Sequence, residues 1–230
     1  MESNNIKCRN CVIKSSAVSV LNYDELGILE EGCFQSEFRK GELIFKEGGP
    51  AKHITYIREG FVKLSKMQNL EKEYIVSISK KGAYLGVQNL NKTNNSNYFS
   101  AYAITNTLVC FLDIDYFDQL VKRNGEFASE VISYIINDEM NSFDRFLNNV
   151  QHQLPGRLAN ILLYFYQQVY KKNPFNLNIT KTELASLIGT SRESVTRLLK
   201  NFQDDGIIAA DKSSILILDE SKLKEIKLKG

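Results

Sequence analysis

The sequence predicts an α+β chain: an N-terminal double-stranded β-helix (a β-roll), one long helix and a C-terminal winged helix-turn-helix. Three observations carry this. From residue 33 to about 113, short alternating apolar runs recur between glycine-marked turns, the pattern of many short strands closed into a sandwich or roll. From about 126 to 154 the apolar period becomes helical. Residues 180–206, TKTELASLIGTSRESVTRLLKNFQDDG, place two helix starts on either side of Gly189.

Composition sets the bounds. A chain of 230 residues, 43% hydrophobic and 24% charged, has the make-up of a globular protein with room for two modest domains. No apolar run approaches the roughly 20 residues that span a bilayer. The start, MESNNIKCRNC, lacks the apolar segment of a signal peptide, so a cytoplasmic location with no membrane partner is expected. Net charge is only +2, but it is unevenly spread. There are 17 Lys+Arg and 19 Asp+Glu before Pro155, and 12 and 8 from it onward, a balance of −2 against +4. The basic half is the half with the helix pair.

Along the chain, residues 1–20 form a quiet polar segment holding Cys8 and Cys11. A short helix follows, with Asn22 and Glu25 as a capping box and Leu26 and Leu29 facing inward. The β-roll occupies 21–124, with runs such as CFQSEF, HITYI, FVKLSKM and LVCFLD, turns at Lys40-Gly41, Glu59-Gly60 and Lys81-Gly82, and an exposed loop at 91–97. A short helix at 116–122 leads to the long one, assigned to 125–154 as a dimerisation helix. Its Ile136, Met140, Phe143, Leu147, Val150 and Leu154 recur every four and three residues, the seam that two parallel helices bury together. Val131, Ile132 and Ile135 form a second line, suited to packing on the roll. Pro155 disfavours helix at the residue before it, so 154–156 is read as the hinge. The last domain, 155–230, has a helix at 157–170, a short strand at 175–179, the helix pair, and a β-hairpin turning at 211–214.

The helix pair has the chemistry of a base reader. Thr180 with Glu183 and Thr190 with Glu193 have capping-box spacing, and Gly189 suits the tight turn between the helices. Arg192 and Arg197 can each offer a planar fork of donors to guanine in a major groove, and Glu193 can accept from a cytosine amino group. Double-stranded DNA is the expected partner, and two half-sites call for a homodimer.

With roll, long helix, hinge and winged helix in this order, residues 20–220 resemble the cyclic-AMP receptor protein/FNR (CRP/FNR) family of bacterial transcription regulators. The most specific stretches are KGELIFKEGGPAKHITYIREGFVKL (40–64) and ITKTELASLIGTSRESVTRLL (179–199). The family's Arg-Glu-three residues-Arg reading set matches Arg192, Glu193 and Arg197, and the resemblance implies a half-site of the TGTGA type. It also places Thr180, Ser191 and Ser194 against phosphates and makes RNA polymerase a partner.

The resemblance leaves the signal open. Cyclic-AMP binders carry a Gly-Glu step followed by an Arg-Ser or Arg-Thr pair. This chain has Gly86-Val87-Gln88 and Asn97-Tyr98 at those places, so a buried cyclic phosphate would lack its cation. That argues against cyclic AMP and leaves Gly86, Gln88, Asn97 and Tyr98 as candidates to line a pocket for an unknown effector. Oxygen-sensing members hold an iron–sulfur cluster through Cys-x2-Cys-x5-Cys near the N-terminus and one distant Cys. Cys8 and Cys11 match the first two and Cys110 the distant one, while Ala17 stands third. Cys33 is spare and would have to move in as a substitute. A Cys8–Cys11 thiol switch is an alternative, as are an inert Cys110 and haem held through His53 or His152. Neither cluster nor haem is favoured over the unknown effector. A cupin-like metal enzyme would need several converging histidines, and the chain has two. A partner module that uses the long helix without binding DNA is the remaining class.

Overall fold

The computed structural model describes residues 8–68, 72–91, 95–211 and 214–230, and it divides into two compact units, the second made of 73–75 and 141–230. In the first unit, α1 (Ser16–Ser19) and α2 (Tyr23–Glu31) precede eight strands. Asn22 caps α2 by accepting from the backbone of Asp24 and Glu25, and the Glu25 carboxylate reaches back to Asn22 N at 3.0 Å. That buried carboxylate also accepts from Asn124 Nδ2 at 3.0 Å. Asn124 in turn caps the long helix α4 (Gly125–Gln151) through its Oδ1, so a single carboxylate ties two helix starts together.

The roll consists of two four-stranded sheets. One runs in the order β1 (Cys33–Phe38), β8 (Thr107–Asp113), β3 (His53–Glu59), β6 (Tyr84–Leu85). The other runs β2 (Leu43–Phe45), β7 (Ser100–Ala103), β4 (Phe61–Gln68), β5 (Lys72–Lys80). Because side chains alternate along a strand, β3 serves two cores. Ile54, Tyr56, Cys110 and Leu112 pack against α2, α3 (Ile114–Arg123) and the start of α4. Ile57 joins Val62, Leu85 and Ala101 from the remaining strands in a smaller cluster.

Sequence and structure part company at three places in this unit. The two-residue β6 and the 3-10 turn Val87–Leu90 are too short to leave a periodic signal. Asn97, expected on an exposed loop, is buried; its backbone N–H donates to Gly49 O at 2.8 Å and its amide to Lys46 O and Pro50 O. On α4, Val131 and Phe127 pack on the roll, but Ile132 and Ile135 are 55% and 40% exposed and join the outward stripe.

The second unit holds the end of α4, then α5 (Leu154–Tyr164) continuing into a π-helical turn, Phe165–Tyr170. After β9 (Phe175–Asn176) come α6 (Lys181–Ile188), α7 (Arg192–Asp204), β10 (Ile208–Ala210), β11 (Ser214–Ile217) and α8 (Glu220–Lys229). The three strands form one antiparallel sheet in the order β10-β11-β9, with Ile208 opposite Ile217 and Ala210 opposite Ile215. Two residues of the expected hairpin turn, 212 and 213, lie outside the described residues. The long helix ends at Gln151, earlier than expected, because Pro155 sits in the first turn of the next helix, where its missing N–H costs nothing. Leu154 therefore begins α5 and does not extend the α4 stripe. Beside it, Gly156 makes the close approach of α5 to the end of α8 possible, since a Cβ there would lie 2.8 Å from Gly230 O.

Tyr134 shows how α4 is held to the roll. Its hydroxyl accepts from Tyr84 N–H at 2.8 Å and donates to Tyr84 O at 3.0 Å. Tyr134→Phe strands both backbone groups, so unfolding by urea should report a loss of roughly 1–3 kcal/mol.

Candidate nucleic-acid interface and sulfur site

Local chemistry builds the helix pair. Thr180 Oγ1 accepts from Glu183 N at 3.1 Å while the Glu183 carboxylate accepts from Thr180 N at 2.7 Å, a complete capping box at the start of α6. Gly189 ends α6 at φ 67°, a left-handed conformation that disfavours any side chain. The second helix starts one residue later than expected. Ser191, not Thr190, is its N-cap, accepting from Ser194 N at 3.2 Å, and Glu193 is left free of capping duty. Val195, Leu199 and Phe202 of α7 are buried with Leu184, Ala185 and Ile188 of α6.

At 100° per residue, the buried side of α7 leaves Arg192, Glu193, Thr196, Arg197 and Lys200 on one exposed arc. The predicted reading set is thus brought together on a single face. Thr196 and Lys200 share it; sequence reasoning missed them, although helical spacing from Arg192 would have found both. Thr180, Ser191 and Ser194 lie at the N-terminal ends of the two helices, where backbone N–H groups and the helix dipole favour phosphate. Thr180 and Ser191 are exposed and Ser194 is half-buried.

The four cysteines are the second assembly. Cys8 begins a 3-10 turn, Cys8–Asn10, that lies against the helical side of the roll. In the β1–β8 ladder Cys33 faces Leu112 and Gln35 faces Cys110, so Cys33 and Cys110 are diagonal neighbours on one face. Cys33 hydrogen-bonds to Cys110 and Cys8; these bonds push its own thiol above the usual range and hold Cys110 and Cys8 below it. Cys8, Cys11 and Cys110 line a cavity of about 30 Å³ with Tyr56 and Tyr84, room for about one water. Cys11 Sγ points a hydrogen bond at Ile13 O, 3.4 Å away. Arg58, 3% exposed, donates Nη1 to Gln35 Oε1 at 2.7 Å and reaches Cys110. Its Nε has no hydrogen-bond partner. Among the described residues, no three His, Cys, Asp or Glu side chains are set to hold a single metal ion.

Comparison with known proteins decides the family. Residues 35–124 match the cyclic nucleotide-binding domain model, and 156–226 match the Crp-like helix-turn-helix domain model. Electron transport regulator A of Shewanella oneidensis is 24% identical over 224 residues, 95% of this chain and 89% of that protein. The fumarate and nitrate reduction regulatory protein of Escherichia coli K12 is 22% identical over 227 residues, 96% of this chain and 90% of that one. Among solved structures, FixK2 from Bradyrhizobium japonicum superposes with a TM-score of 0.76 at 18% identity, over 84% of this chain and 96% of its own. A CooA mutant from Carboxydothermus hydrogenoformans gives 0.70 at 19% identity over 99% and 97%. The chain belongs to the CRP/FNR family. As a CRP/FNR regulator it is a DNA-binding transcription factor with a sensor domain, and its relatives are regulators rather than enzymes. No described helix is long and apolar enough to cross a membrane.

In this CRP/FNR chain the expected effector positions have contacts of their own. Gly86 starts the turn Val87–Leu90 at φ 80°, and Asn89 in that turn donates to Asn97 Oδ1 at 3.1 Å. Asn97 is thereby spent on holding the loop shut. Gln88 is exposed, and Tyr98 is 53% exposed with the Lys66 ammonium 3.5 Å from its ring centroid. The histidines have other partners. His53 sits edge-on to Phe34 at 5.3 Å and to Phe111 at 5.7 Å, and His152 Nδ1 is 2.9 Å from Gly230 O. Ser191→Ala removes the α7 cap, and thermal or urea unfolding should register a loss of about 1 kcal/mol.

Proposed function

We propose that the protein acts as a cytoplasmic homodimer on a pseudo-palindromic DNA site with TGTGA-like half-sites, and that RNA polymerase is its partner there. The observation that carries this reading is the sorting of α7, with Arg192, Glu193 and Arg197 on one exposed face and apolar residues on the other. Arg197 is assigned to guanine, and Arg192 and Glu193 complete the base-reading set. Thr180, Ser191 and Ser194 fix register on phosphates and carry no sequence information. Support for the homodimer comes from α4, where Ile136, Met140, Phe143, Leu147 and Val150 are 44–63% exposed in the single chain. Ile132, Ile135 and Phe146 widen that stripe. Such a stripe exceeds what a lone helix leaves in water, and its four-three spacing suits a second copy of itself. A homodimer carries two copies of α7, one for each half-site, and such half-sites are centred about one helical turn apart.

The input is read at the cysteines. Cys8, Cys11 and Cys110 line one cavity, and strand register sets Cys33 diagonal to Cys110, so the thiols themselves are the candidates to receive a signal. As placed, they do not fit an iron–sulfur cluster: the cavity has room for about one water, Cys33 is not among its lining residues, and among the described residues no three ligating side chains converge. A hydrogen-bonded route leads outward, from Ser15 Oγ to Tyr84 OH at 2.5 Å and from Tyr84 to Tyr134 on α4.

Arg197→Ala should weaken binding to the best site by roughly 1–3 kcal/mol and flatten preference at one guanine in a binding-site selection. Unchanged discrimination would overturn the assignment. Phe143→Glu should shift the protein from dimer to monomer in sedimentation equilibrium while leaving its circular dichroism intact. A dimer of unchanged strength would remove α4 from the interface.

A further inference from the structure

Two of the four sulfurs are placed to react with each other. Cys33 shares hydrogen bonds with both Cys8 and Cys110, while the Cys11 thiol is turned to Ile13 O at 3.4 Å. Cys33 thus has two candidate partners, and geometry separates them. Cys33 and Cys110 are diagonal across the β1–β8 ladder, where Cα atoms lie roughly 7–8 Å apart, outside the about 4.4–6.8 Å that a disulfide spans. The backbone bonds of the ladder hold them at that spacing. Cys8 is free of this constraint, since its short 3-10 turn lies outside both sheets.

Dedicated contacts bring Cys8 to the start of β1. Arg9 N donates to Glu30 Oε1 at 2.8 Å, the Arg9 guanidinium pairs with Glu30 at 3.4 Å, and its Nε donates to Tyr23 O at 3.1 Å. Gly27, inside α2, leaves the space that guanidinium fills, for a Cβ there would collide with it. Glu30 lies just ahead of Gly32 and Cys33, so the clamp on Arg9 seats Cys8 beside β1. Cys8 is also the more accessible partner, half-buried where Cys110 is buried. It lines the cavity of about 30 Å³ with room for about one water, so the oxidant the site admits is a small one. The hydrogen bond from Cys33 favours the Cys8 thiolate, the form that reacts. Burial and Glu30 oppose it, and Arg58, 3% exposed with its Nε unpartnered, adds a favourable charge.

We propose that Cys8 is a peroxide-reactive nucleophile and Cys33 its resolving thiol, the pair closing as a reversible disulfide. The proposal rests on the reading of the thiols as the input, and it selects a pair other than Cys8–Cys11. The Cys8 sulfur attacks one oxygen of hydrogen peroxide and the O–O bond breaks. The departing oxygen takes the thiol proton and leaves as water, with Cys8 now a sulfenic acid. The Cys33 sulfur then attacks the Cys8 sulfur, the S–O bond breaks, and the hydroxyl leaves with the Cys33 proton as a second water. Two electrons pass from the two thiols to peroxide. Exchange with a dithiol reopens the bond. Closure fastens to β1 the segment whose Ser15 hydroxyl meets Tyr84.

The test uses the full chain, reduced, freed of metal by a chelator and treated with hydrogen peroxide. Alkylation, intact mass and peptide mapping then read each cysteine. Wild type should lose two hydrogen atoms from its mass, with Cys8 and Cys33 joined, and dithiothreitol should restore the starting mass. Cys33→Ser should stop at a Cys8 sulfenic acid that dimedone traps, with circular dichroism matching wild type. Cys11→Ser and Cys110→Ser should still form the bond. Arg58→Gln should slow oxidation several-fold, and Arg58→Lys should recover part of the rate. A wild-type disulfide mapped to Cys8–Cys11 or Cys33–Cys110, or none at all, overturns the pairing. A rate unmoved in Arg58→Gln removes the cation's part in it. Binding of the same samples to DNA with TGTGA-like half-sites tells the two readings apart. An affinity that responds to peroxide while another pair is oxidised removes the Cys8–Cys33 assignment alone. An affinity unmoved by a completed Cys8–Cys33 bond removes the thiols as the input and leaves the bond standing.

Discussion

The pairing of β3 with β8 is the constraint on which the sensory unit depends. In that ladder Tyr56 faces Cys110 and Ile54 faces Leu112, so all four side chains emerge on the helical side. A slip of one residue would turn each of them to the opposite face and bring Val109 and Phe111 out in their place. The same register carries Cys110 to the diagonal of Cys33 through β1, and it puts Arg58 within reach of both Gln35 and Cys110. Core packing and sulfur chemistry are therefore set by one decision about strand alignment.

The helical layer converts that register into a connected unit. Glu25 joins the starts of α2 and α4 through Asn22 and Asn124, and its burial makes these bonds obligatory. Tyr84, on the two-residue strand β6, touches the N-terminal segment through Ser15 and α4 through Tyr134. Burial holds the Tyr84 and Tyr134 phenols protonated well above the usual tyrosine range, so their hydroxyls remain donors. Rearrangement of the segment that carries Cys8 and Cys11 thus has a short hydrogen-bonded path to the helix with the exposed apolar stripe.

How much of this could be read in the chain differed by element. The helix pair was legible because its signals are local: a capping box three residues apart, a glycine at the turn, apolar residues at helical spacing. Even there, Thr190 and Ser191 compete for one cap, and only the backbone shows that Ser191 takes it. Leu154 follows the seam spacing faithfully yet belongs to the next helix, because Pro155 is as compatible with a helix start as with a stop. α8 was not anticipated, since Leu223 is its one buried residue and most of the others are charged. Gln88 and Tyr98 were placed by analogy with a ligand pocket, and the Asn89–Asn97 bond that links their two segments left no trace in the spacing.

The sequence by itself determined the order of roll, long helix and winged helix, the exposed polar face of α7 and the apolar stripe of α4. Each of these follows from periodicity and capping among residues within a turn or two of one another. Tertiary structure alone decided that Cys33 meets Cys8 and Cys110, that Arg58 is buried beside them, and that Ile132 and Ile135 face outward. These are contacts between residues far apart in the chain. They depend on strand register and on which helix covers which face, and neither leaves a local trace in the spacing of residue types.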